Sequence, residues 1–380
     1  MSQQLSIVIP TFNESQNVRE LLLRIEAALG ATGWEVIFVD DDSPDGTSSV
    51  VRDIARGDTR VRCIQRIGRR GLSSACIEGM LASSAPVIAV MDADLQHDET
   101  ILPAMLASIE QKGADLVIGT RYAPGGGMDN WNESRKTMSR FATVTSRMIL
   151  SQPVSDPMSG FFMLRREVFD LTVRNLSGLG FKILLDILAT AKHESLQPLK
   201  IVEVPYHFRN RVAGESKLDE MVVWEYAMLL ADKTIGRYVP VRFLAFSIIG
   251  GVGVLIHMVV LTTMLKGLAF GFTAAQSAAT AVAMIFNFVL NNILTYRDRR
   301  LTGLKWFRGL ISFMIACSIG ALSNVGIATY LFRNQTQWVL AALAGVLVGA
   351  VWNYAVTQLY TWGSGGKKRL QPKKPPDKPV

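Results

Sequence analysis

From Val241 to Trp362 the chain is built of long apolar stretches with almost no acidic residue, and this restricts its fold more than any other feature. A helix of roughly 20 residues crosses a ~30 Å hydrocarbon core and satisfies its own backbone polar groups in lipid. Four stretches are long enough, at about 242–265, 271–295, 308–332 and 337–361. The preceding 240 or so residues mix charged and apolar positions as a soluble domain does, and a chain of 380 residues accommodates both parts.

Loop charges orient the spans. Arg297, Arg299, Arg300, Lys305 and Arg308 lie between the second and third, and Lys367, Lys368, Arg369, Lys373, Lys374 and Lys378 follow the fourth. The two opposite loops carry little more than Lys266 and Arg333. Cytoplasmic loops are the basic ones, so the soluble half, the middle loop and the Pro/Lys-rich tail over 363–380 are all expected in the cytoplasm. The net charge of +8 gathers beside the apolar spans, which favours an anionic membrane surface as partner. No interleaved aromatic-basic pattern argues for nucleic acid. The N-terminus, MSQQLSIVIP, lacks a basic region and runs straight into a strand, so no secretory signal is expected. Cys63, Cys76 and Cys317 follow no metal or disulfide spacing, in keeping with a reducing compartment.

In the soluble half, short apolar runs alternate with helical patterns. Strands are expected at Leu5 to Pro10, Glu35 to Val39, Val61 to Gln65, Val87 to Met91, Asp115 to Thr120 and Ile201 to Pro205. Helices are expected at about Ser15 to Leu29, after Gly71, over 99–111, from Glu133 to Leu150, and over Gly180 to Lys192. Ala123 to Met128 reads as a mobile loop. This alternation predicts a parallel, doubly wound α/β sheet, Rossmann-like, with ligands at the carboxyl ends of its strands. The fourth strand ends in Asp92 and Asp94. Two carboxylates one residue apart reach a hard divalent cation from one side, and such a cation stabilises a departing diphosphate. The second strand ends in Asp40-Asp41-Asp42-Ser43-Pro44-Asp45-Gly46, too many acids for an ordinary turn.

IPTFNE, VDDDSPDGT, GLSSA, MDADLQH, GTRY, DPMSGFF, GFKILLDIL and RVAGESKL stand in that order. With these eight motifs, residues 5 to 235 resemble the family 2 inverting glycosyltransferases of GT-A type, and in particular the dolichol- or polyprenol-phosphate mannose synthases. The resemblance implies that Pro10, Phe12, Glu14, Val39 and Asp41 hold the donor nucleotide. It places Asp92, Ala93, Asp94 and Gln96 at the metal and donor diphosphate, with Asp92, Asp94 and Gln96 as ligands to Mg²⁺ or Mn²⁺. It assigns Arg121, Arg135, Arg211 and Lys217 to the acceptor and its phosphate, the last two on a closing loop. Asp94, Arg121 and Asp156 are the implied catalytic residues. Asp156 has two readings, orienting the acceptor or ordering the Ser159-Gly160 turn; His97 also has two, touching the metal site or merely entering a helix. Phe12 stands where the family often has Tyr, which removes one hydroxyl.

The expected domains are a catalytic domain over 1–217, a juxtamembrane helix over 218–240, and a membrane domain over 241–362. The juxtamembrane segment reads either as an interfacial amphipathic helix or as an ordinary packing helix. Shifted by 66, Arg242 meets Arg308, Asn287-Phe288-Val289-Leu290-Asn291 meets Asn353-Tyr354-Ala355-Val356-Thr357, and Tyr296 meets Trp362. This internal repeat resembles the GtrA-like four-span domains. Intramembrane Asn287, Asn291, Asn353 and His257 have two readings, hydrogen bonding to neighbours or handling a lipid headgroup. The expected activity is transfer of a hexose, mannose from GDP-mannose, onto a polyprenyl phosphate by a multi-pass enzyme, with oligomers left open. Three alternatives remain: a UDP-sugar donor (UDP-glucose or a UDP-N-acetylhexosamine), a processive polysaccharide synthase, and lipid-linked sugar translocation by the four spans. The second lacks its usual Gln-x-x-Arg-Trp.

Overall fold

Leu5–Thr11 (β1) and Trp34–Asp40 (β2) are buried along their whole length. Strands so apolar on both faces belong in the middle of a sheet covered by helices. The structure, a computed structural model, describes residues 3–69, 71–128, 150, 152–178, 180, 182–193, 198–209, 221–236, 239–335 and 337–363. The chain divides into two compact units, Met1–Tyr238 and Val239–Val380.

The remaining elements of the first unit are α1 (Val18–Leu29), α2 (Thr47–Ala55), β3 (Val61–Gln65), α3 (Leu72–Ala82), β4 (Val87–Val90), α4 (Leu102–Glu110), β5 (Leu116–Thr120), β6 (Gly127–Met128), β7 (Phe162–Arg165), α5 (Arg166–Thr172), α6 (Ile183–His193), β8 (Ile201–Pro205), β9 (His207–Phe208) and α7 (Met221–Ile235). The main sheet runs β3-β2-β1-β4-β7-β5-β8. It is not the all-parallel sheet expected: β7 lies antiparallel between β4 and β5, pairing Val90 with Phe162 and Ile118 with Phe162. An apolar run such as FFML carries no direction, so only the path of the preceding chain decides this. The reversal puts Asp156 to Gly160, just before β7, at the same edge as the carboxyl ends of the six parallel strands.

α1 begins at Val18, three residues later than expected, because the chain first turns through Asn13 at φ +58°. The helix over 99–111 opens with a 3-10 turn, Glu99–Ile101, before α4. The expected loop over 123–128 ends in β6, which pairs with β9. The helix expected over 133–150 lies outside the described residues except for Leu150. In α7, Tyr226 and Leu229 are buried in the apolar layer formed by α3, α5 and α6, so that face packs as a domain helix. Its Lys233 meets the buried Asp186 of α6 at 2.5 Å.

The second unit holds α8 (Val241–Thr262), α9 (Phe272–Leu290), α10 (Leu304–Arg333) and α11 (Trp338–Val356). Four stretches here are long and apolar enough to cross a membrane: Val241–Gly267, Phe272–Thr295, Leu304–Leu331 and Leu343–Thr361. α9 and α11 end in the same way, each widening into a π-helical turn, Asn291–Thr295 and Thr357–Thr361, 66 positions apart. The residues that follow, Tyr296 and Trp362, stack on one another at 4.2 Å and 7° between planes. Trp362 Nε1 donates to Asn292 Oδ1 at 3.1 Å. Gly253 and Gly320 press against the amides of Asn287 and Asn353, where a β-carbon would have no room. His257 Nε2 lies 3.4 Å from Thr280 Oγ1 on the neighbouring span. Thus Asn287, Asn353 and His257 each meet an adjoining helix.

Candidate active site

Six strand ends and the returning segment before β7 form one sheet edge. β1 and β2 lie in register, Pro10 beside Val39 and Thr11 beside Asp40. Asp40, the fully buried last residue of β2, builds the turn that follows, accepting from Ser43 N at 3.1 Å and Ser43 Oγ at 2.5 Å. Asp45 ties this turn to the one after β1, accepting from Ser15 N and Thr47 N, both at 3.0 Å. Its partial burial disfavours the charge, but hydrogen bonds from Thr47 and Ser15 outweigh that and hold the carboxyl below its usual range. Asn17 Nδ2 donates to the buried Glu14 Oε2 at 2.8 Å, and Phe12 is half-buried beside them.

Asp41, the first residue past β2, is 7% exposed. It accepts from Arg66 Nη1 at 2.6 Å and from Gly71 N at 2.7 Å. Burial pushes its pKa up, opposed by the Gly71 N–H and the Arg66 charge. The motif reading missed Arg66, which is 2% exposed. Its Nη2 donates to Ser74 Oγ at 2.6 Å, and Nε lies 3.3 Å from Glu78 Oε1. Its place just past β3, beside the acid past β2, is the strand-end signal that would have found it.

At the next strand end the chain leaves β4 through Met91 and reverses at Leu95, a buried leucine at φ +62°. A non-glycine residue in that region stores about 1 kcal/mol or more, held here by packing. The turn leaves Asp94 7% exposed, with Oδ1 accepting from Gln96 N at 3.2 Å, and buries Ala93. Asp92 is more open, its side chain 37% exposed. His97 folds back beneath it, Nε2 lying 3.2 Å from Asp92 Oδ2 and Nδ1 2.8 Å from the Tyr206 hydroxyl. Gln96 pairs with Arg209: Arg209 N donates to Gln96 O at 2.9 Å and Gln96 Nε2 to Arg209 O at 3.1 Å. Arg209 also donates to Glu99 and Asp98, at 2.8 Å and 2.7 Å.

After β5, Arg121 grips Asp156 with two parallel hydrogen bonds, Nε to Oδ2 at 2.7 Å and Nη2 to Oδ1 at 2.9 Å. Burial works against the guanidinium charge, but the Asp156 carboxylate more than offsets this, and its pKa rises. Asp156 is 1% exposed. Phe208 and Tyr122 stand beside the guanidinium, with ring centroids at 5.4 Å and 5.5 Å. The Ser159-Gly160 turn is closed by Ser159 N, which donates to the Asp156 carbonyl at 3.2 Å, and by Ser159 Oγ, which donates to Gly119 O at 2.7 Å. Arg135, Arg211 and Lys217 lie outside the described residues.

Among the described residues, no three His, Cys, Asp or Glu side chains gather into a cation cage. Asp92 and Asp94 remain the pair able to hold one. An open pair fits a cation shared with a diphosphate, since Mg²⁺ takes one or two carboxylates and completes its shell with phosphates and water.

Residues 6–172 match the glycosyl transferase family 2 model and residues 245–362 the GtrA/DPMS transmembrane domain. Fold, strand-end acids and spans together define a multi-pass membrane glycosyltransferase. The dolichol-phosphate mannosyltransferase of Pyrococcus furiosus is 35% identical over 363 residues, covering 95% of this chain and 100% of that one. The enzyme of the same name from Saccharomyces cerevisiae is 35% identical over 243 residues, covering 63% of this chain and 90% of its own length. This chain belongs to the dolichol-phosphate mannosyltransferase family. The glucosyl-3-phosphoglycerate synthase of Mycobacterium tuberculosis, solved with Mn²⁺ and UDP, shares 20% identity at a TM-score of 0.45 over 62% of this chain and 80% of its own, too distant for residue assignments.

Proposed function

We propose that the chain transfers mannose from GDP-mannose, with inversion, to a polyprenyl phosphate at the cytoplasmic face of the membrane. The observation that carries this reading is the sheet edge that gathers Asp41, Asp92, Asp94 and the Arg121–Asp156 pair, in a chain related over nearly its whole length to a dolichol-phosphate mannosyltransferase. The basic middle loop and tail support the cytoplasmic placement.

The acceptor phosphate is already an anionic nucleophile at neutral pH, so no strong general base is needed. One of its oxygens forms a bond to the sugar C1 while the bond from C1 to the diphosphate breaks, and GDP leaves with the electron pair. A single displacement inverts the anomeric centre. Asp41 accepts hydrogen bonds from the base, and Phe12 covers it. Asp92, Asp94 and Gln96 would hold Mg²⁺ or Mn²⁺, which would supply positive charge to offset that of the departing diphosphate. Arg121, Arg135, Arg211 and Lys217 supply the positive charge that lets two phosphorylated anions approach. Asp156 acts through Arg121, fixing the guanidinium in place by taking its Nε and Nη2.

The test is to incubate membranes holding the full chain with radiolabelled GDP-mannose, UDP-glucose or UDP-N-acetylglucosamine and divalent cation, then extract lipid. Label entering the extract from GDP-mannose alone is expected. Label from a UDP-sugar instead would replace the donor assignment.

A further inference from the structure

Among the described residues, His97 is the one buried imidazole at the sheet edge, 3% exposed, and it stands just before Asp98, the cap of the Glu99–Ile101 turn. Three rings enclose it: Phe161, Phe208 and Tyr206 have centroids at 5.2, 5.5 and 5.7 Å. Both ring nitrogens are engaged. The Asp92 carboxylate can only accept, so the proton between it and His97 belongs to Nε2. In the tautomer that carries this proton, Nδ1 accepts from the Tyr206 hydroxyl. Tyr206 is 3% exposed, and burial holds its proton above the usual phenol range.

This Tyr206–His97–Asp92 chain needs room at residue 160. A β-carbon on Gly160 would lie 2.8 Å from Asp92 Oδ2 and 3.4 Å from His97 Nε2. Glycine there lets the β7 segment close against the histidine–carboxylate contact. The other acid, Asp94, is held by its own turn. Asp92 projects from a more exposed position, and the His97 N–H fixes one of its oxygens.

We propose that His97 is a positioning residue for the cation: by holding Asp92 Oδ2 from beneath, with its own tautomer set by Tyr206, it turns the carboxylate toward the place where Asp94 and the donor diphosphate meet. This rests on the proposed cation reading of Asp92 and Asp94. Hydrogen-bonded partners behind a ligating side chain orient it, and their loss weakens metal affinity about 10–100-fold.

The experiment titrates Mn²⁺, alone and with GDP, into the full-length protein in detergent and follows free Mn²⁺ by electron paramagnetic resonance. His97→Ala is expected to raise the Mn²⁺ Kd at least about tenfold. His97→Gln, whose amide reaches as far as Nε2, should restore binding to within about threefold of wild type. Tyr206→Phe should weaken binding in the same direction as His97→Ala but less, and it carries the test if the alanine variant does not fold. An unchanged Kd in a folded His97→Ala or Tyr206→Phe protein overturns the inference, as does a His97→Gln protein no better than alanine. If the wild-type chain binds no Mn²⁺ under either condition, the cation reading itself fails, and that outcome is distinct.

Discussion

Single side chains at this sheet edge divide into those that build turns and those left for chemistry. Asp40, Asp42, Asp45 and Asp41 are alike in sequence, yet Asp40 and Asp45 tie the strand-end turns together through Ser43, Ser15 and Thr47, whereas Asp41 is held by the Arg66 guanidinium and the Gly71 N–H. Asp45→Ala removes acceptors for Ser15 and Thr47 and should lower stability by about 1 kcal/mol at neutral pH. The folded pKa of Asp45 lies below 3.8, so its contribution is present above that pH and is lost as the pH falls through the folded value. Thermal midpoints of variant and wild type should therefore converge only in strong acid. Asp94→Ala loses the acceptor for Gln96 N and should lower stability by no more than about 1 kcal/mol, while transfer into lipid falls roughly a thousandfold, the equivalent of several kcal/mol of lost charge stabilisation. Ordinary turnover by a folded variant would remove the cation assignment. At this scale the motifs identified the acids, but not Arg66 or Tyr206, whose importance comes from the partners that long-range packing gives them.

At the scale of elements, α7 carries the clearest consequence. The sequence left it between a membrane-surface helix and a packing helix; Tyr226 and Leu229 in the core and the Lys233–Asp186 pair decide for packing on that face. The Asp186 side chain is 0% exposed and that of Lys233 6%. Ser177 N and Oγ also donate to Asp186 Oδ2, at 2.9 Å and 2.7 Å. Lys233→Met leaves a buried carboxylate without its counter-ion and should destabilise the first unit by about 3 kcal/mol. Adding Asp186→Asn should recover a large part, because no charge then stays buried. Thermal denaturation of the two variants separates this from an exposed pair, whose loss would barely register. Strand boundaries were legible because β1, β2 and β8 are short apolar runs with sharp ends. The direction of β7 was not, because antiparallel and parallel strands bury the same residues.

For the whole molecule, the question is whether the four spans only anchor the enzyme. Their repeat is physical as well as sequential: two helices end in matching π-helical turns, and the residues after those turns stack face to face. Replacing everything after about residue 240 with an unrelated membrane tether should preserve transfer of label into lipid, measured as initial rate in proteoliposomes. Loss of lipid-linked sugar movement to the opposite leaflet, with synthesis intact, would assign translocation to the spans. Loss of synthesis itself would make the spans part of the acceptor site.

The apolar spans, the strand–helix alternation and the paired acids at the end of β4 were all written locally, in hydrophobic period and in residue type, and so the sequence alone determined an α/β domain followed by a four-span membrane domain. What tertiary structure decided was proximity. The antiparallel insertion of β7 carries Asp156 and Gly160 to the edge where β4 and β5 end, so Asp156 meets Arg121 and Gly160 admits the His97–Asp92 contact. Such meetings depend on chain direction between distant strands, and no local pattern of residues encodes it.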